Sequence, residues 1–270
     1  MHKFIIRGTR GSVPVCRRTA LKHGGATTCF TLETDSGLIV IDAGTGITSA
    51  AGAMPDGTGP LPITILFTHF HLDHLVGLPL FAPLYRSDAR VTFMGDPRRD
   101  DDWQKTLHTL FAQPYWPTNL TTVAAFKSFE NLPVEAGSME LYGIRVSWRP
   151  LSHPQGCLAY RLECPDRTIV VATANEHAPS DVSAQLAGFC RGADSLVFDA
   201  MYTPAEYETR AGWGHSTWQQ AVGLAAEAGV GELILTHHSA SRADNEIDGI
   251  VAEAREIFPR TRAATENMVV

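Results

Sequence analysis

Eight consecutive residues, Phe67-Thr68-His69-Phe70-His71-Leu72-Asp73-His74, constrain this chain more than any other stretch. Three of its 11 histidines fall within six residues there, together with a carboxylate. The run before it, Leu61-Pro62-Ile63-Thr64-Ile65-Leu66-Phe67, is apolar and partly β-branched, and reads as a buried strand. Leu75 to Phe81, just after, reads as the opening of a helix. The histidines therefore sit in a loop at the C-terminal end of a strand, where α/β sheets gather their chemistry. His69 and His71, two apart in extended chain, point the same way and suit one metal ion. Asp73 and His74, past the bend, can reach a second. Neutral imidazole with a carboxylate suits Zn²⁺, Mn²⁺ or Fe²⁺. A merely solvated histidine cluster would not follow an apolar strand so directly.

The chain has 270 residues, 44% of them hydrophobic, enough to bury a substantial core as one large domain or two small ones. Apolar runs are short and interrupted, so no membrane-spanning helix is expected. Met1 to Arg7 runs into a strand-like pattern and lacks the apolar centre of a signal peptide. The five cysteines (Cys16, Cys29, Cys157, Cys164, Cys190) are odd in number and contain no C-x-x-C, which argues against a disulfide framework and fits a reducing cytoplasm. Net charge is −7 with the signs mixed, and no basic stripe suited to long nucleic acid is visible. Arg86, Arg90, Arg98, Arg99 and Lys105 are interleaved with Asp88, Asp96, Asp100, Asp101 and Asp102, as in a solvated insertion or a lid over substrate.

Further strands are read at residues 3–8, 30–34, 38–41, 123–126, 139–148, 157–162, 168–173, 195–200 and 232–236. Helices are read at 100–111, after His215, and at 250–258. Gln113-Pro114-Tyr115-Trp116-Pro117 is a rigid aromatic segment that could wall a pocket or pack in the core.

The pattern H-x-H-x-D-H over His69 to His74 resembles the signature of the metallo-β-lactamase superfamily. Gly8-Thr9-Arg10-Gly11-Ser12-Val13-Pro14 and the pair Gly24-Gly25 resemble the opening of its branch related to ribonuclease Z and the cyclic-nucleotide phosphodiesterases. The asparagine usual after the paired glycines is here Ala26. These glycines read either as tight turns or as backbone N–H groups facing an anionic substrate. The resemblance spans about residues 4 to 258. It implies an α/β fold, an αββα sandwich of two mixed β-sheets flanked by helices, formed as a single domain over residues 1–270.

The resemblance also implies a site with two divalent ions, Zn or Mn, with Fe as a further candidate. It places His69, His71 and His153 on the first ion and Asp73, His74 and His237 on the second, with Asp42 helping to hold the loop. His215, in Gly214-His215-Ser216-Thr217, matches the histidine beside the reacting phosphate. It is then a general acid or oxyanion stabiliser, oriented by Asp199. Asp73, His215 and Asp199 are the catalytic candidates. One position departs from the pattern. Relatives read T-D-T-E-H where this chain reads Thr173-Ala174-Asn175-Glu176-His177, so the carboxylate that bridges the two metals is replaced by a methyl group. That leaves the second site weak or empty unless Glu176 swings in, whether the alanine arose by drift or by deliberate substitution. The function implied is a metal-dependent phosphodiesterase on a small or cyclic nucleotide, impaired by Ala174, with no membrane or long nucleic acid as partner. An ester, lactone or thioester hydrolase and a non-catalytic ligand-binding descendant stay open, and the resemblance admits a homodimer.

Overall fold

The computed structural model describes residues 2–53, 62–177 and 180–270. Among these, fourteen strands form two sheets of seven. The first sheet takes β1 (Lys3–Gly8), β2 (Cys29–Glu33), β3 (Leu38–Ile41), β4 (Pro62–Leu66), β5 (Arg90–Gly95) and β6 (Phe126–Asn131) in chain order. The second runs through β7 (Gly137–Leu141), β8 (Ile144–Leu151), β9 (Cys157–Glu163), β10 (Thr168–Ala172), β11 (Ser195–Asp199) and β12 (Glu232–Thr236) to β13 (Thr261–Ala263). The last strand, β14 (Met268–Val269), returns to pair with β1. Both sheets are mixed. β1 to β3 are antiparallel and β3 to β6 parallel, while β7 to β10 are antiparallel and β10 to β13 parallel.

The helices are α1 (Trp103–Leu110), α2 (Asp181–Cys190), α3 (Pro204–Tyr207), α4 (Trp218–Ala228) and α5 (Asp244–Ile257). Three apolar layers explain the architecture. Side chains such as Phe4, Phe30, Ile41, Tyr160, Val171 and Ile234 meet between the sheets. A second layer packs α2, α4 and α5 on the outer face of the second sheet through Leu186, Val222 and Ile250. A third covers the first sheet with Phe67, Leu78, Phe93, Trp103 and Leu107. The central parallel strands β3, β4, β10, β11 and β12 are nearly continuous apolar runs because both their faces are buried. This is the αββα sandwich. Among the described residues no helix is long and apolar enough to cross a membrane, and the five cysteines are free thiols.

Several boundaries differ from the sequence reading. Leu61 lies outside the described residues, and the strand is Pro62–Leu66. The segment read as a helix opening at Leu75 is instead a chain of 3-10 turns at Leu72–His74, Leu78–Leu80 and Ala82–Tyr85. Pro79 and Pro83 remove the N–H groups a longer helix would need. The strand expected at 123–126 begins only at Phe126. The one expected at 139–148 is two strands joined by Tyr142-Gly143, both left-handed (φ 53° and 76°) as a tight hairpin turn requires. The closing helix starts earlier, at Asp244. Helix α4 is capped by Thr217, which accepts from the Gln220 N–H in a capping box.

The topology decides where chemistry collects. Parallel strands in both sheets end at one edge, and three of them end in a left-handed residue that is not glycine. These are Asp42 after β3 (φ 61°), Ala174 after β10 (φ 52°) and His237 after β12 (φ 57°). Each costs about 1–2 kcal/mol for an ordinary side chain, less for aspartate. Backbone strain of this kind gathers where side chains must be aimed.

Candidate metal centre

The loop after β4 delivers His69, His71, Asp73 and His74 to this edge, and the loops of the second sheet bring His153, Asp199, His215 and His237 against them. All eight sequence-predicted site residues meet there. Their ligating atoms form three groups, each with all members within 4.8 Å: His69, His71 and His153; Asp73, His74 and His237; Asp199, His215 and His237. In the first group His153 Nε2 and His71 Nδ1 face each other at 3.1 Å. In the second, Asp73 Oδ2 lies 3.4 Å from His74 Nε2 and 3.7 Å from His237 Nε2.

Every imidazole is fixed from behind by a bond to its other nitrogen. The Asp42 carboxylate, fully buried, accepts from Thr68 N–H (2.8 Å), from the Thr68 hydroxyl (2.8 Å) and from His74 Nδ1 (2.7 Å). The Thr68 hydroxyl has thus given its hydrogen to Asp42, so its lone pair accepts from His69 Nδ1 at 3.0 Å. One carboxylate therefore sets the tautomer of both His69 and His74. His71 Nε2 donates to Gln155 Oε1 (2.6 Å), His153 Nδ1 to the Gly214 carbonyl (2.9 Å) and His237 Nδ1 to Thr28 Oγ1 (2.9 Å). His215 Nδ1 donates to Asp199 Oδ2 (2.8 Å), and Asp199 also accepts from the N–H groups of Met201 and Ser216. The inner nitrogens of His69 and His74 are buried and have no hydrogen-bond partner among the described residues. Buried ring nitrogens without a partner are costly unless something binds them. A divalent cation fits this donor set of neutral imidazoles and a carboxylate.

Two glycines make room for the rings. A Cβ at Gly11 would lie 2.6 Å from His237 Nε2, and one at Gly214 (φ 85°) would run into His153 and Pro154. Gly25 and Ala26 behave differently from the anion-facing reading of the paired glycines. Their N–H groups both donate to Glu266 Oε1 at 2.7 Å, so the anion they hold is the chain's own. Ser12 N–H donates to Asp73 Oδ2 at 2.8 Å.

Glu176 does not replace the missing aspartate. Its carboxylate accepts from the Tyr207 hydroxyl (2.5 Å) and the N–H groups of Gly212 (2.8 Å) and Gly214 (3.0 Å), and so shapes the loop that carries His215. Ala174 is fully buried and apolar. His177 and His238 stand apart from the three groups. The His177 ring packs edge-on against Phe198, and the His238 ring lies against His23 beside Arg10. Of the basic segment, Arg99 alone borders the cleft at His69 and His71, and Asp96 and Glu135 already pair with it. The outer partners Thr28, Gln155 and the Gly214 carbonyl were not read from the sequence. Only Thr68, adjoining His69, left a signal there.

Electrostatics follow the packing. Burial pushes His69 and His238 well below the usual imidazole range, His153 to about 4 and His237 to about 3. Burial alone would lower His74 too, but Asp73 and Asp42 outweigh it and raise it to about 10. Burial opposes ionisation of Asp73, yet His74 and His237 hold it far below the usual carboxylate range. Unfolded histidines titrate near 6.5, so below that pH the unfolded metal-free chain takes up protons that these depressed rings refuse. His74 is protonated in both states in that window and offsets nothing; its own contribution is lost only as pH rises toward about 10. The metal-free chain is therefore expected to lose stability as pH falls from about 6.5 to 4, read as a falling urea midpoint in chelator. A midpoint that holds steady between pH 7 and 5 would contradict these directions.

Fold and site together define a metallo-hydrolase of the β-lactamase class. The description "Beta-lactamase superfamily domain" matches residues 38–238, and the chain belongs to that superfamily. Its likeness within it runs to ribonuclease Z. The Ribonuclease Z of Bradyrhizobium sp. (strain ORS 278) is 29% identical, with 98% of each chain covered. Among solved structures, the metallo-beta-lactamase fold protein YhfI from Bacillus subtilis superposes with a TM-score of 0.73 at 18% identity, covering 100% of this chain and 99% of that one. A diphosphatase from the PhnP family superposes at 0.71 with 20% identity, covering 100% and 97%.

Proposed function

We propose that this chain is built as a two-metal phosphodiesterase for a small or cyclic nucleotide, working in the cytoplasm and impaired by Ala174. The observation that carries the reading is the set of six imidazoles, each locked by a hydrogen bond on its outer nitrogen and turned inward by it. His69, His71 and His153 would hold one divalent ion, Zn or Mn, and Asp73, His74 and His237 the other. Such ions supply Lewis acidity to a phosphoryl oxygen and a water activated at neutral pH. His215, oriented by the buried Asp199, is placed to give a proton to the leaving oxygen, and its outer nitrogen is already committed to the carboxylate. The names ribonuclease Z and diphosphatase, carried by relatives, support cleavage at phosphorus. A net charge of −7 and the pairing of Arg99 with carboxylates support a small substrate over a long polyanion.

Ala174 favours one second reading, a descendant that binds a ligand without turning it over. Elemental analysis and hydrolysis of bis(p-nitrophenyl) phosphate test both. With Asp restored at 174, His215→Ala is expected to lower kcat by about 10²–10⁴-fold while zinc content holds. An ester, lactone or thioester hydrolase would barely notice the change in its preferred activity. No hydrolysis of any diester by the restored protein would sink the phosphodiesterase reading.

A further inference from the structure

The cleft beside His69 and His71 holds about 320 Å³ and is walled by Phe70, Thr106, Arg99 and Gln155. Phe70 and Thr106 are also walls of a second hollow of about 530 Å³, so the two adjoin along α1 as one trough. The far part differs in chemistry from the near part. Leu72, Leu75, Val76 and Pro79 form one side, and among the described residues no charged side chain borders it. Three aromatic rings do. Phe70 stacks on Trp103 (5.9 Å, 17°), which fixes its plane. The Trp116 indole donates to the Tyr85 hydroxyl at 3.3 Å, and that hydroxyl donates to the Pro79 carbonyl at 2.6 Å, so the indole is anchored. Tyr115 stands at the rim, 72% exposed.

Two hydroxyls on α1 complete the trough. Thr106 gives its hydrogen to Asp100 (2.6 Å) and Thr109 gives its own to the Lys105 carbonyl (2.8 Å), so both face a ligand with lone pairs only. A hollow of this size, apolar and aromatic with a few acceptors, matches the usual form of a small-molecule site. A phosphate has no cation to meet in the far part. It belongs at the metal end, and the apolar part beyond it suits an uncharged group.

We infer that the trough is a subsite for a planar aromatic ring carried by the substrate, a nucleobase or an aryl group, lying beyond the phosphate. The phosphate's place rests on the phosphodiesterase reading; the ring's place rests on the trough. Stacking on aromatic side chains favours any base or aryl face, and a ring with an N–H edge would also find the threonine acceptors.

Calorimetric titration of the zinc-loaded protein with AMP, phenyl phosphate and ribose 5-phosphate tests this. At least one ring-bearing ligand is expected to bind about tenfold or more tightly than ribose 5-phosphate, the order that stacking supplies. A margin for AMP alone identifies a nucleobase, and one for phenyl phosphate alone an aryl group. Trp116→Ala should reduce the margin to below about threefold. Thr109→Trp, at an exposed position of α1, should do the same by filling the trough, and it removes no core contact. Adenosine against ribose repeats the comparison without a phosphate, and so reads the ring's place even in protein that takes up no zinc. Zinc content and diester hydrolysis, measured in parallel, decide the phosphodiesterase reading separately. Equal binding of ringed and ringless ligands, or a margin untouched by both variants, overturns the inference. So does a wild-type dimer that Thr109→Trp dissociates without any ring preference, since a second copy would then be what covers the trough.

Discussion

Ala174→Asp is expected to raise the zinc content of the chain toward two ions and to increase diester hydrolysis by about 10²-fold or more, since a lost ligand should matter at least as much as the 10–100-fold attached to outer partners. The backbone already suits the change. Ala174 sits at φ 52°, a conformation aspartate tolerates better than alanine, just past the end of β10, as Asp42 and His237 sit past the ends of β3 and β12. Stability should move in opposite directions with and without metal. In chelator, a carboxylate at this fully buried position adds an unpaired charge, costing several kcal/mol. With zinc the ion neutralises it, and binding to the folded state alone raises the melting temperature. Thermal unfolding in zinc and in chelator reads both signs. Equal destabilisation in the two, with zinc content unchanged, would mean that residue 174 does not face the ions.

Asp42→Ala is expected to cost about 3–5 kcal/mol, because it strips the partner from His74 and from both donors of Thr68 in a site without solvent. Asp42→Asn separates holding from aiming. The amide can still accept from Thr68 N–H, and asparagine tolerates the left-handed backbone at φ 61°. Its NH₂ group, however, would face His74 Nδ1 and turn it from donor to acceptor. That moves the ring proton to Nε2, the nitrogen that faces Asp73. Asn should therefore keep more stability than Ala while losing about 10–100-fold or more in zinc affinity. Denaturant titration beside competition with a metal indicator measures the two. Zinc affinity that survives in Asp42→Asn would show that Asp42 braces the loop and leaves the tautomers alone.

How legible the site was depends on how its parts are spaced. His69, His71, Asp73 and His74 share one short loop after an apolar strand, so their joint role can be read from periodicity and composition. His153, Asp199, His215 and His237 lie far apart along the chain and were placed through the family resemblance; His153 and His237 follow strand ends, Asp199 closes β11, and His215 lies in the loop before α4. Gln155, Thr28 and the Gly214 carbonyl follow no pattern, because their roles exist only when loops of the two sheets meet. Glu176 looked able to reach an ion, yet three donors from the Tyr207 to Gly214 segment hold it elsewhere. The sandwich itself was readable from repeated buried strands. The run of 3-10 turns after His71 was not, since Leu75 to Phe81 is apolar enough for a helix and only Gly77 and Pro79 object.

Neither three-residue ligand set proposed here belongs to one sheet. His69 and His71 come from the first and His153 from the second, with His71 and His153 82 positions apart in the chain. Asp73 and His74 likewise meet His237 from the other side. A bound ion would then be a staple across the seam of the sandwich, closing long stretches of chain much as a crosslink does. Any unfolding route that begins by parting the two sheets would have to strip the ion first, which slows it. On this view, a chain with a methyl group at the place of the bridging carboxylate would still have a reason to keep the five ligand histidines in place: the centre would serve as a clasp even when it turns over nothing.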